Sequence, residues 1–104
     1  MTEKFLKEIA FARSGDKGKN SNIGVVAFDE ESYHLIAKQL TEEAVLHYFQ
    51  DLNLIEVKRY LWPALSSLNF ILVGALGDGG SVSLKLDAQG KGLGQKLLGI
   101  KIKA

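Results

Sequence analysis

Alternating apolar and polar positions predict the strands of this chain. Residues 5–12 alternate, which is typical of a half-buried strand, whereas residues 22–28 are apolar on both faces and predict a central strand beside it. Residues 55–61 carry interleaved charges, and residues 69–76 form the most apolar run, which predicts a second central strand. Residues 100–102 alternate with lysines and fit a last edge strand.

Between the second and third of these strands, apolar residues recur at helical spacing. One stripe follows Asp29 and a second follows Thr41, and each of these N-cap residues precedes two glutamates that suit the positive end of a helix dipole. The stripes consist of Tyr33, Ile36, Ala37 and Leu40, and of Val45, Tyr48, Phe49 and Leu52. They predict two consecutive amphipathic helices, or one helix bent at Thr41, packed on a sheet.

The order of these elements predicts the fold class. Residues 87–98 place leucines at helical spacing, although each of their glycines costs about 1 kcal/mol relative to alanine. From Asn22 onward the order is then strand, helix, strand, strand, helix, strand, with one more strand in front. We therefore expect residues 1–104 to form a single α+β domain with a ferredoxin-like (split βαβ) sandwich. Its antiparallel or mixed sheet should carry an extra N-terminal strand and be covered by helices on one face.

Composition excludes several classes of function. The 104 residues include no cysteine, which rules out a disulfide framework, a thiolate zinc site and a cysteine nucleophile. The net charge of +1 gives no reason to expect a nucleic-acid partner. No apolar run approaches the roughly 20 residues of a membrane span, and the first residues do not resemble a signal peptide. We expect a cytoplasmic protein that binds neither nucleic acid nor a membrane.

Charge is unevenly distributed along the chain. Residues 29–56 carry a net charge of −6, and residues 85–104 carry +4. This pattern has two interpretations: the charged residues lie on two solvent-exposed faces, or they form a charged surface that docks a partner.

The most polar stretch, residues 13–22, lies between two predicted strands and is expected to be a loop. A hairpin connection needs only about two to five residues, so this loop is longer than its connection demands. Arg13 and Lys17 carry the charges to bind an anion, and the backbone amides near Gly15 and Gly18 can turn toward one. The stretch predicts either an anion or polar-ligand site or a merely solvated loop.

A second glycine-rich segment, residues 74–80, follows the second central strand. It lacks the Gly-x-Gly-x-x-Gly spacing of dinucleotide-binding loops. It predicts a flexible turn, or a turn whose Gly79 and Gly80 amides lie beside the first polar stretch. Asn69 begins a buried strand and predicts a structural hydrogen bond or a ligand contact. Trp62, just before Pro63, is expected in the core, with an exposed anchor for a partner as the alternative.

No residue pattern assigns a catalytic group. His34 and His47 lie on different predicted helices without further ligands at metal spacing, so we expect neither a metal centre nor a catalytic triad. No cofactor is expected, and whether the protein is an enzyme stays open.

Three motifs in order resemble the AtuA-like domain, the small C-terminal ferredoxin-fold part of acyclic terpene utilisation proteins. They are Arg13-Ser14-Gly15-Asp16-Lys17-Gly18 with Asn22-Ile23-Gly24-Val25, Leu68-Asn69-Phe70 with Gly74-Ala75-Leu76-Gly77-x-Gly79-Gly80, and Leu86-Asp87-x-x-Gly90-Lys91. The resemblance extends from about Ile9 to Ile102. It implies a ferredoxin-like fold and a link to the catabolism of branched acyl-CoA compounds such as terpene alcohols.

The resemblance also suggests a partner, because a much larger domain precedes this one in many members. The chain is similar to a separately encoded small subunit that binds a larger AtuA-like polypeptide, with an anionic ligand at residues 13–22. The alternative is a stand-alone binding protein or enzyme for CoA-type or carboxylate-type small molecules, and a third hypothesis is a homo-oligomeric module. The candidate ligand-binding residues are Arg13, Ser14, Gly15, Asp16, Lys17, Gly18, Asn22, Asn69, Gly79 and Gly80.

Overall fold

The computed structural model describes residues 3–17, 20–74 and 92–103. The strands in this part of the chain are β1 (Glu3–Phe5), β2 (Ala10–Lys17), β3 (Asn20–Ala27), β4 (Glu56–Trp62), β5 (Ser67–Val73) and β6 (Lys101–Lys103). The α-helices are α1 (Glu30–Gln39), α2 (Glu42–Tyr48) and α3 (Gly92–Leu97), and short 3-10 turns cover Leu6–Glu8, Gln50–Leu52 and Pro63–Leu65.

Four antiparallel strands form the main sheet, in the order β2-β3-β5-β4. Since β3 and β4 are both antiparallel to β5, they run parallel to each other with β5 between them. The helices α1 and α2 connect these two parallel strands, which is the split βαβ arrangement. The predicted ferredoxin-like α+β fold is therefore confirmed, and β2 is the extra strand in front.

The first and last strands lie outside the main sheet, where they form a separate two-stranded sheet. β1 pairs antiparallel with β6, and Phe5 lies opposite Lys101. The strand predicted over residues 5–12 is broken by a 3-10 turn, because Leu6 is fully buried and its N–H donates to the carbonyl of Ile100 at 2.8 Å. The prediction of one continuous first strand is wrong because this contact joins residues far apart in sequence.

Gln39, the last residue of α1, closes the free edge of β6. Its Oε1 accepts a hydrogen bond from the N–H of Lys103 at 2.8 Å, and its Nε2 donates to the carbonyl of the same residue at 2.5 Å. A side-chain amide thus takes the place that another strand would occupy and ties the small sheet to the helix layer.

The helices that the structure describes cover only one face of the main sheet. In β3, Ser21, Ile23, Val25 and Ala27 are buried beneath them, while the alternate residues point to the opposite side and stay half exposed. We call that opposite side the open face. It carries Phe11, Arg13 and Gly15 of β2, Asn22, Gly24 and Val26 of β3, Asn69 and Ile71 of β5, and Lys58, Tyr60 and Trp62 of β4.

Both predicted helix starts are present. The Asp29 side chain accepts a hydrogen bond from the N–H of Ser32 at 2.7 Å, and the Thr41 hydroxyl accepts one from the N–H of Ala44 at 3.1 Å. α1 ends at Gln39, just before the Thr41 cap begins α2. The region therefore holds two helices and not one bent helix.

Arg59 ties the edge strand β4 to the junction of these two helices. Its Nη1 donates to the carbonyls of Ala37 at 2.8 Å and Leu40 at 2.9 Å, where α1 ends. The last carbonyls of a helix have no partner within the helix, and a cation there is favoured by the helix dipole. The backbone N–H of Arg59 also donates to Oε2 of Glu42 at 2.8 Å, so part of the free edge of β4 is blocked.

Replacing Arg59 with alanine should destabilise the fold by about 2 kcal/mol, because two charge-assisted hydrogen bonds to the end of α1 are lost. For a chain of this size, that lowers the melting temperature by about 10 °C. Thermal unfolding followed by circular dichroism measures the change. Lys58→Ala, one residue away on the open face, is the control and should stay within about 0.5 kcal/mol of wild type. Equal melting temperatures for the two variants would contradict the assignment.

Stability should also depend on pH through the cap of α1. The hydrogen bond from the backbone N–H of Ser32 holds the pKa of the Asp29 carboxyl below its ordinary value of 3.8. The stabilisation is therefore complete above that ordinary value and is lost as the pH falls through the lower folded value. In Asp29→Asn the amide keeps the cap without titrating, so the melting temperature of wild type should fall more steeply than that of the variant from about pH 5 to about pH 2. If the melting temperatures of wild type and variant fall in parallel across that range, titration of Asp29 does not account for the loss of stability.

Candidate functional site

The polar stretch predicted as a loop forms the paired ends of a hairpin. β2 continues to Lys17 and β3 begins at Asn20, and these two residues pair with each other. The prediction of a ten-residue loop over residues 13–22 is therefore wrong. Polar residues are tolerated in these strands because the open face leaves them in contact with solvent. Gly18 lies outside the described residues.

Strand alternation separates two neighbouring candidate residues onto opposite faces. Ser14 lies on the helix side, where its Oγ accepts a hydrogen bond from the N–H of Gly94 in α3 at 3.2 Å. A Cβ added at Gly94 would lie 3.4 Å from Ser14 Oγ and from backbone atoms of Arg13 and Ser14, so glycine allows α3 to approach β2 closely. Ser14 thus positions a helix, whereas Arg13 lies on the open face.

The sheet brings four of the predicted residues together on the open face. Arg13 and Gly15 of β2 pair with Gly24 and Asn22 of β3, and Gly24 pairs in turn with Asn69 of β5. Arg13, Gly24, Asn69 and Tyr60 therefore form one row across all four strands. Asp16 pairs through its backbone with Ser21 in the same hairpin.

The polar side chains of this surface have no partners within the described part of the chain. Arg13, Asn22 and Asn69 form no side-chain hydrogen bond or ion pair with another residue there. The structural hydrogen bond considered for Asn69 is therefore not formed with any described residue. A half-exposed amide and an exposed guanidinium without partners are free to bind an external group.

A cavity of about 400 Å³ opens on the same face beside this row. Gly24 and Val26 form part of its floor, and Tyr60, Trp62 and Leu65 form its walls. Asn69 lies at its edge with Ser67, whose hydroxyl donates to the carbonyl of Leu65 at 2.8 Å. The cavity therefore borders Gly24, Asn69 and Tyr60 of the row, and Arg13 lies next to Gly24 just outside its lining.

Most of the apolar part of the open face was not found from the sequence. For Trp62 the favoured position in the core is wrong, because 62% of its surface is exposed, as the alternative of an exposed anchor requires. Tyr60, Leu65, Phe11 and Phe28 are also exposed, and the last two rings stack with centroids 6.3 Å apart. The sequence of β4 does show that Tyr60 and Trp62 share one side of the strand, because they alternate with Val57 and Arg59. Alternation does not show which of the two sides faces solvent.

The second glycine-rich segment begins next to the hairpin. Gly74 has a φ of +85°, and its N–H donates to the Asn20 side-chain oxygen at 3.0 Å. The chain therefore leaves β5 beside the start of β3, at the end of the sheet where β2 and β3 join. Gly79 and Gly80 lie outside the described residues, so their part in the site stays a prediction.

Neither histidine takes part in this surface. His34 lies 3.6 Å from Glu30 on the solvent side of α1, and His47 is exposed on α2. Across residues 3–17, 20–74 and 92–103, no three side chains of His, Cys, Asp or Glu gather where they could hold a metal ion. In the same ranges, no helix is long and apolar enough to cross a membrane. The described side chains on the open face are suited to binding a partner or a ligand.

Comparison with known proteins identifies the family of the chain. Residues 4–103 match the family model of the AtuA ferredoxin-like domain. No curated protein and no solved structure matches the chain. The family match covers the main sheet, the described helices and the two strands that carry most of the first motif. The chain therefore belongs to the family of AtuA ferredoxin-like domains.

Proposed function

We propose that this chain is an accessory subunit of an AtuA-type assembly and that it binds a larger AtuA-like polypeptide through the open face of its sheet. The assembly would act in the cytoplasm in the catabolism of branched acyl-CoA or terpenoid compounds. Family membership supports the catabolic role, and the exposed aromatic surface supports the docking.

The observation that carries this proposal is the set of exposed aromatic residues on one sheet face, with Phe11 and Phe28 at the β2 side and Tyr60 and Trp62 at the β4 side. Trp62, Tyr60, Phe11 and Phe28 each expose roughly half or more of their surface. Isolated exposed apolar residues are common, whereas apolar residues gathered on one face mark an interaction surface. Tryptophan, tyrosine and arginine are also the residue types that contribute most to binding energy at protein interfaces, and Arg13 lies on the same face.

Two of the described strand edges are less available to a partner than the open face. The free edge of β4 is occupied at Arg59 by Glu42, and the free edge of β6 is closed by Gln39. Strand addition at these two positions would have to break existing hydrogen bonds. The open face requires no such rearrangement, so it is the surface that we assign to the partner.

Co-expression with a large AtuA-like polypeptide from the same organism tests the proposal. A tagged wild-type chain should retain the large polypeptide during affinity purification. Trp62→Glu should weaken that retention by at least about tenfold, because it replaces the most exposed aromatic side chain of this surface with a charge. Biolayer interferometry with the purified partners measures the change in affinity.

Leu46→Glu is the matched control, since Leu46 is an exposed apolar residue on the helix side. It should leave the affinity unchanged, and circular dichroism should show that both variants are folded. Equal losses in the two variants, or full retention by Trp62→Glu, would refute docking through the open face. If light scattering instead shows a dimer that Trp62→Glu converts to a monomer, the face binds a second copy of this chain and the proposal is wrong.

A further inference from the structure

We propose that the cavity on the open face binds a small amphipathic acid, with its carboxylate between Arg13 and Asn69 and its hydrocarbon chain against Trp62 and Leu65. This inference goes beyond the proposed function because it concerns the isolated chain and needs no partner. A partner seated on the open face would close the open side of the cavity over the bound molecule.

The polar end of this site is built around a glycine. Gly24 lies between Arg13 on one neighbouring strand and Asn69 on the other. A Cβ at Gly24 would lie only 3.8 Å from the Asn69 side-chain oxygen, so a larger side chain there would fill the space above the sheet between the two polar groups. Neighbouring strands are about 4.8 Å apart, which places the Cα atoms of Arg13 and Asn69 about 10 Å apart. A carboxylate over Gly24 lies within reach of both side chains.

The charges on the open face favour an anion at this position. Arg13 forms no ion pair with another described residue, and the nearest carboxylate on the described open face, Glu56, lies about 13 Å along β4 from the row of Asn69. A guanidinium can bind a carboxylate through two parallel hydrogen bonds, and the Asn69 amide, once turned so that its NH2 group and not its oxygen faces Gly24, can donate a third. A neutral or cationic head group would leave the Arg13 charge without a counter-ion.

The other end of the site is apolar. One row further along the sheet, Val26 lies between Phe11 and Ser67, and Trp62 ends the row on β4. Leu65, in the turn that follows β4, closes this side of the cavity. Successive residues on one face of a strand are about 7 Å apart, so a chain that starts over Gly24 reaches this wall within a few methylene groups. The volume of about 400 Å³ lies within the usual range for small-molecule sites.

Trp62 supplies a direct readout, because it is the only tryptophan in the chain and it forms a wall of the cavity. Titration of the isolated chain with octanoate should give a saturable change in tryptophan fluorescence. The alcohol 1-octanol and octylammonium, which have the same chain length but no negative charge, should bind at least about tenfold more weakly.

Three variants separate the site from unspecific binding. Arg13→Ala should raise the dissociation constant for octanoate by at least about tenfold while leaving that of 1-octanol nearly unchanged. Asn69→Asp, which keeps the shape of the side chain and adds a negative charge, should weaken octanoate binding at least as much. Lys58→Ala is the control, because it removes a positive charge from the open face one row away from Asn69 and on the opposite edge strand from Arg13, and it should bind octanoate like wild type.

Several outcomes would overturn the inference. Unchanged fluorescence across the titration, equal affinity for octanoate and 1-octanol, or equal effects of Arg13→Ala and Lys58→Ala would each refute it. If octanoate does not bind but the wild-type chain still retains the large polypeptide, the docking proposal stands and this inference is wrong. If octanoate binds but the large polypeptide is not retained, this inference stands and the docking proposal is wrong.

Discussion

Burial of Ile23, Val25, Phe70 and Leu72 beneath the helices holds the main sheet to its covering layer. Because successive side chains of a strand point to opposite faces, this packing also determines what the uncovered side presents. Asn22, Gly24 and Asn69 lie on the open face for the same reason that their neighbours lie in the core. The candidate site is thus the reverse side of the hydrophobic core, and a shift of one residue in β3 or β5 would exchange the two sets.

The β2–β3 hairpin links the fold to the site most directly. Its inner side receives α3 through the hydrogen bond between Gly94 and Ser14, and its outer side presents Arg13. Asn20, the first residue of β3, binds the N–H of Gly74 and joins the hairpin to the end of β5. A polar motif that reads as one unit in the sequence therefore divides into residues that assemble the domain and residues that face outward. Its serine and its arginine have different roles.

The open face combines two kinds of surface that a binding protein needs. Trp62, Tyr60 and Leu65 offer apolar area, while Arg13 and Asn69 offer polar groups without internal partners in the described part of the chain. The free strand edges at Arg59 and Lys103 are closed by side chains of Glu42 and Gln39, so strand addition at those two positions would have to break existing hydrogen bonds. The chain that carries this surface belongs to the family of AtuA ferredoxin-like domains.

The order of strands and helices, the caps at Asp29 and Thr41, the split βαβ arrangement and the family were all predicted from the sequence, because spacing, capping and motifs are local properties. Three features depended on contacts between distant residues and only the tertiary structure decided them. Leu6 breaks the first predicted strand because it packs against the end of the chain, near Ile100. Trp62 is exposed because no described element covers the open face, and residues 13–17 and 20–22 are strands because each has a partner strand to pair with. Alternation along a strand defines two faces, but only the packing of the helices determines which of them meets solvent.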